Sequence, residues 1–170
     1  MINQHTHHLP LPFISQRSLV PDDLIKLSSS EEISTIYFLL PQSKSINIPI
    51  FSSKVEAGFA SPADDFIEEY LDLNNLLVKN NEATYFVRVS GKSMIDSGIF
   101  PDDILIVDRS VTANNGKIVI ANVEGDVTVK RLCIEHNKVI LKSENSKHKD
   151  IVVTGELHIW GVVTSVIHQV

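Results

Sequence analysis

Apolar runs of five to nine residues, rich in β-branched side chains and bounded by polar or turn residues, recur along the chain from Thr84 onward. Thr84–Ser90, Ile104–Asp108, Lys117–Val123, Asp126–Ile134, Lys138–Lys142 and Ile159–Ile167 each predict a strand. Glu124-Gly125-Asp126 and Glu135-His136-Asn137 predict hairpin connections between neighbours. Helix signals are few. Ser61-Pro62-Ala63-Asp64 offers a capping residue, a proline at the first helical position and an acid in the first turn, which predicts a short helix running to about Tyr70. Asp72–Leu77 predicts another turn or two. There is no βαβ alternation and no internal repeat, which excludes doubly wound nucleotide folds and solenoids. The expected fold class is mainly β: a compact antiparallel β body with short helices.

The part before Gly58 has a different pattern. It holds five of the seven prolines and none of the seven glycines, and Ser28-Ser29-Ser30 interrupts it further. Only Glu31–Leu40 has the makings of an element, a short helix or a strand. Residues 1–57 are therefore expected to be an N-terminal arm, and residues 58–170 the β-rich body.

Charge narrows the possible partners. The net charge is −6, and the arm, with four basic and five acidic residues, carries little of it. A protein that grips phosphates needs a basic stripe, so direct sequence-specific DNA binding is not expected. Cys133 is the single cysteine, which excludes an intrachain disulfide and a multi-cysteine metal site. His5, His7 and His8 cluster near the start without an acidic or cysteine partner, so neither metal nor cofactor is expected. No apolar run reaches the ~18 residues of a membrane span, and the start lacks the regions of a signal peptide. The expectation is a cytoplasmic protein with no membrane association.

Two residues invite chemistry. Ser93, in Gly91-Lys92-Ser93-Met94, follows a strand, and Gly91 permits a close backbone approach there. A serine in that place is either a solvated turn residue or a nucleophile, and a nucleophile needs a base. His136, His148, His158 and His168 show no pairing with it in the sequence. Lys130 lies within Val127-Thr128-Val129-Lys130-Arg131-Leu132, where alternation puts Thr128, Lys130 and Leu132 on one face and Val127, Val129 and Arg131 on the other. One reading is an edge strand with both cationic heads in water. The other buries Lys130, where desolvation favours the neutral amine that can accept a serine proton. Ser90 reads as a strand-end hydroxyl.

Taken together, Val89-Ser90-Gly91-Lys92-Ser93-Met94-Ile95-Asp96, Asp102–Asp108 and Thr128-Val129-Lys130-Arg131-Leu132 resemble the serine and lysine motifs of the LexA/UmuD self-cleaving serine peptidases (S24). The 37-residue interval from Ser93 to Lys130 matches that family. Ala57-Gly58-Phe59-Ala60-Ser61-Pro62-Ala63-Asp64-Asp65 resembles the family's cleavage site, and Asp72-Leu73-Asn74 with Leu76-Leu77 is most similar to the UmuD type. The resemblance runs from about Ile46 to the C-terminus.

That resemblance implies a body of the LexA/UmuD C-terminal peptidase type. It makes Ser93 the nucleophile, Lys130 the general base and later acid, and Ala57-Gly58 the bond cut. It also implies the backbone N–H groups of Lys92 and Ser93 as oxyanion donors, with Thr128 placed to orient the lysine. It further implies a homodimer, stimulation by a RecA filament on single-stranded DNA in the DNA-damage (SOS) response, and a UmuC-like translesion polymerase as partner. Ala57-Gly58 is a LexA-like bond where UmuD has cysteine-glycine, and residues 1–45 have no counterpart in the UmuD type. A LexA-like repressor inactivated by the same cleavage is the alternative, although it requires a winged helix-turn-helix for which the arm has too little helical pattern and no basic excess.

Overall fold

The computed structural model describes residues 14–15, 32–38, 47–51, 67–136 and 138–170. The expected cleavage site at Ala57-Gly58, the histidine cluster and the expected helix start at Ser61–Asp64 lie outside them.

Among the described residues the strands are β1 (Ile14–Ser15), β2 (Ile33–Phe38), β3 (Asn47–Phe51), β4 (Ile67–Asp72), β5 (Thr84–Val89), β6 (Ile104–Asp108), β7 (Ile118–Val123), β8 (Asp126–Glu135), β9 (Lys138–Lys142), β10 (Ile151–Val153) and β11 (Leu157–Ile167). One sheet runs β10-β9-β8-β7-β11-β6-β5-β2 with antiparallel neighbours throughout, and β1 adds to β11 in parallel. Strand β11 is long enough to pair with β7 along its first half and with β6 along its second. The mainly antiparallel β class is borne out.

Each strand read from the sequence after Thr84 is present to within two residues at either end. The Glu124-Gly125 connection has φ of 53° and 99°, and Val123 pairs with Asp126, so it is a two-residue hairpin of the left-handed type that matches strand twist. The short helix α1 (Leu73–Leu77) follows Asp72, whose side chain accepts from the Asn74 N–H at 2.8 Å. One expectation fails: Ile67–Tyr70 is strand, not the end of a helix. Asn47–Phe51 supplies an antiparallel partner there, with Pro49 opposite Tyr70, and this non-local pairing overrides the local capping signal. The Glu31–Leu40 ambiguity resolves as strand β2, because the edge of β5 offers an open hydrogen-bonding row.

Two apolar clusters hold the body together. One gathers Ile33, Tyr85, Val87, Val89, Met94, Ile99, Leu105, Val107, Val127 and Val129, and the other Val119, Ala121, Leu132, Leu141, Leu157, Ile159 and Val162. Ile33 ties β2 into the first cluster, beside the loop that carries Ser93.

Candidate active site

The loop Ser90–Asp103 connects β5 to β6 and is held at both ends. Backbone bonds close the mouth, the Val89 N–H donating to the Asp103 carbonyl and the Asp102 N–H to the Val89 carbonyl, each at 2.9 Å. The Asp103 carboxylate accepts from the Phe100 N–H at 2.8 Å, and Met94 and Ile99 plug the loop into the core. A short 3-10 turn, Ile95–Ser97, closes on Gly98 in the left-handed region at φ 75°. Ser93 is thus fixed rather than carried on a loose tip, and only 1% of it is exposed.

Lys130 comes from the opposite direction. Strand β8 has β7 on one side and β9 on the other, so the edge-strand reading of this lysine is overturned, and it is 3% exposed. Its Nζ lies 2.8 Å from Ser93 Oγ, 2.9 Å from Thr128 Oγ1 and 3.1 Å from the Val129 carbonyl. The structure brings together Ser93, Lys130 and Thr128. Lys92 is exposed beside them, its carbonyl accepting from Asn145 Nδ2 at 2.8 Å.

Two participants escaped sequence reading. Asn145 is buried and holds the backbone just ahead of Ser93. Glu32, immediately before β2, puts Oε1 at 2.6 Å and Oε2 at 2.7 Å from Lys130 Nζ, while Oε2 also accepts from Thr128 Oγ1 and, at 3.3 Å, from the Val129 N–H. Nothing in an acid ahead of a short apolar run marks it as a partner for a lysine so far away. Arg131, on the other face of β8, braces the far side of the loop through Glu144 at 2.5 Å, the Gly116 carbonyl at 2.8 Å and Ser97 Oγ at 3.1 Å.

The electrostatics oppose one another. Burial pulls the Lys130 pKa below its ordinary value, while the Glu32 carboxylate and, more weakly, Asp150 push it back up. Burial would raise Glu32, but the Lys130 charge and the hydrogen bonds from Lys130, Thr128 and Ser93 outweigh it and hold the carboxyl below its ordinary value. Burial is the larger effect on Lys130, so its net shift is downward, toward the neutral amine that a buried serine needs as its base.

A family model described as Peptidase S24-like matches residues 49–164. Protein ImpA of Salmonella typhimurium is 40% identical over 121 residues, covering 71% of this chain and 83% of that protein. Protein MucA of Escherichia coli is 40% identical over 124 residues, covering 69% and 82%. The LexA repressor of Bacillus velezensis is 35% identical over 154 residues, covering 90% and 74%.

Proposed function

This chain belongs to the Peptidase S24-like family, and from that membership we propose a UmuD-type serine peptidase that cuts its own chain between Ala57 and Gly58. The observation that carries the reading is the buried 2.8 Å contact between Lys130 Nζ and Ser93 Oγ. Neutral Lys130 takes the hydroxyl proton as Ser93 Oγ bonds to the Ala57 carbonyl carbon. The carbonyl oxygen gains the negative charge, and the backbone N–H groups of Lys92 and Ser93 are its donors. When the tetrahedral intermediate collapses, the bond to the Gly58 nitrogen breaks and that nitrogen leaves with the proton from the Lys130 ammonium. Water then gives a proton to Lys130 and its hydroxyl to the Ala57 carbonyl carbon, and Ser93 Oγ recovers the proton on release. Thr128, 2.9 Å from Nζ, orients the amine.

Small residues on both sides of the bond suit a narrow cleft, and the glycine suits a tight bend. Residues 1–57 are the released arm and residues 58–170 the processed body. Resemblance to ImpA and MucA supports a role in SOS mutagenesis, with a RecA filament on single-stranded DNA as the stimulus and a UmuC-like polymerase as partner of a homodimeric processed form. Among the described residues no helix is long and apolar enough to cross a membrane, and a cytoplasmic place suits these partners.

The test is the mass spectrum of the intact protein before and after incubation with an activated RecA filament. Fragments 1–57 and 58–170 are expected, and an uncut chain or a cut elsewhere overturns the assignment. A LexA-like repressor is the second reading, favoured by a match that spans 90% of this chain. Specific operator binding by the intact protein distinguishes it.

A further inference from the structure

Ser93 and Lys130 are almost fully covered, yet a peptide carbonyl has to come within ~3–3.5 Å of Ser93 Oγ to be attacked. Something must withdraw first. Thr128 and Val129 belong to an interior strand, and Ser93 itself sits on a loop plugged by Met94 and Ile99. Glu32 is different: it leads into β2, which among the described residues is an edge strand of the sheet, and its side chain is 18% exposed.

Glu32 is seated by its backbone as well as by its carboxylate. Its carbonyl accepts from the Ser90 N–H at 2.9 Å and the Gly91 N–H at 3.4 Å, at the root of the Ser93 loop. Gly91 has no side chain to keep it out; a Cβ there would lie 2.9 Å from Glu32 Cγ and 3.1 Å from its Cα. Ile33 anchors the next residue in the core.

The chemistry at Nζ then decides what Glu32 does. Nζ lies within hydrogen-bond distance of both Glu32 oxygens, Ser93 Oγ, Thr128 Oγ1 and the Val129 carbonyl. Five acceptors around one nitrogen suit an ammonium, which donates three protons and accepts none. A base must instead turn a lone pair toward Ser93. A carboxylate touching the amine strengthens the charged form, whereas a lysine has to be neutral to act as the base. Among the described residues the charged groups acting on Lys130 are Glu32 from the segment before β2 and, more weakly, Asp150 just ahead of β10; Ser93 and Thr128 face it as neutral hydroxyls.

We infer that Glu32 is a resting latch, carried by this chain's own N-terminal segment, that keeps Lys130 charged and Ser93 covered until β2 leaves the edge of β5. The inference rests on the serine–lysine reading above. Residues 32–38 thereby acquire a regulatory role, because the peptidase is switched on by whatever peels that strand away. Once the arm is cut off, the latch is no longer tethered to the body.

The experiment compares the full chain with its Glu32→Gln and Glu32→Ala variants by the rate at which fragments 1–57 and 58–170 appear across neutral and alkaline pH, without any partner. Both variants should cut faster at neutral pH, by ~10-fold for each unit by which the lysine midpoint falls, with the rate profile moved to lower pH. Unchanged or slower cutting overturns the latch, slower cutting being the mark of a catalytic helper. A second measurement does not depend on cutting. In a Ser93→Ala background, the ¹⁵N resonance of Lys130 Nζ should titrate at lower pH when Glu32→Gln is added, and an unmoved midpoint overturns the latch. If that midpoint moves but no variant cuts at any pH, the serine–lysine reading fails rather than the contact, and the latch falls with it as a regulator.

Discussion

Glu32 and Lys130 are separated by 98 residues in the chain and by 2.6 Å in the fold. One belongs to the arm that precedes the proposed cleavage site, the other to an interior strand of the body. Their contact makes the N-terminal segment part of the site's electrostatics. It also links the resting charge of the proposed base to the docking of an edge strand.

Acid should undo that docking. Lys130 holds the Glu32 carboxyl below its ordinary value of 4.5 when the strand is docked. Such a group contributes stability that is fully present above the undocked value and is lost as pH falls through the docked one. Hydrogen exchange at the Ser90 amide, which bonds to the Glu32 carbonyl, reads this directly. Protection should fall with acid below about pH 4.5 in the parent, and this acid-dependent component should be absent in Glu32→Gln. Identical acid profiles for the two proteins contradict the coupling.

Gly91→Ala should loosen the same contact from the other side. The glycine has no left-handed φ, so the backbone itself accepts alanine, but the added methyl would crowd Glu32 at 2.9 Å and 3.1 Å, the second contact being with backbone. Exchange at Ser90 should accelerate severalfold with little change in the melting of the body. Unaltered exchange shows that the segment yields without leaving.

Gly161→Ala should damage the body and leave the latch alone. This buried residue follows the register shift in β11, and a Cβ there would meet Val107 Cγ1 at 2.7 Å and the Asp108 carbonyl oxygen at 3.1 Å. Overfilling a packed site of this kind costs about 1–3 kcal/mol. A thermal melt should show a fall of several degrees, since each kcal/mol shifts Tm by roughly 2–4 °C in a chain of this size. An unchanged Tm means that β11 and β6 part without cost.

Much of the site was legible because its signals are local. Gly91-Lys92-Ser93-Met94 and Thr128-Val129-Lys130 each declare themselves within a few residues, and their 37-residue interval survives in the fold as a direct contact. Six of the strands from Thr84 onward were equally plain, since β-branched runs and hairpin turns need no distant information, whereas the three-residue β10 was too short to be read. Glu32 and Asn145 were not legible, because an acid before one strand and an amide in one loop acquire meaning only when the chain has closed around them. The same reason explains Ile67–Tyr70, where pairing with β3 outweighs a local helix signal, and β2, whose helix-or-strand ambiguity ends at the open edge of β5.

The central claim, that Ser93 cuts the chain at Ala57-Gly58 with Lys130 as its base, is tested most directly by a time course of the purified protein in buffers from neutral to alkaline pH, read by intact mass. Self-cleavage needs the neutral amine, so the rate of formation of fragments 1–57 and 58–170 should rise with pH and level off once Lys130 has lost its proton. Ser93→Ala should stay folded and uncut, because it removes the attacking oxygen and little packing. Lys130→Arg should stay uncut at every pH, because a guanidinium keeps its proton. A pH-independent rate in the parent, or either variant cutting between Ala57 and Gly58 like the parent, contradicts the claim.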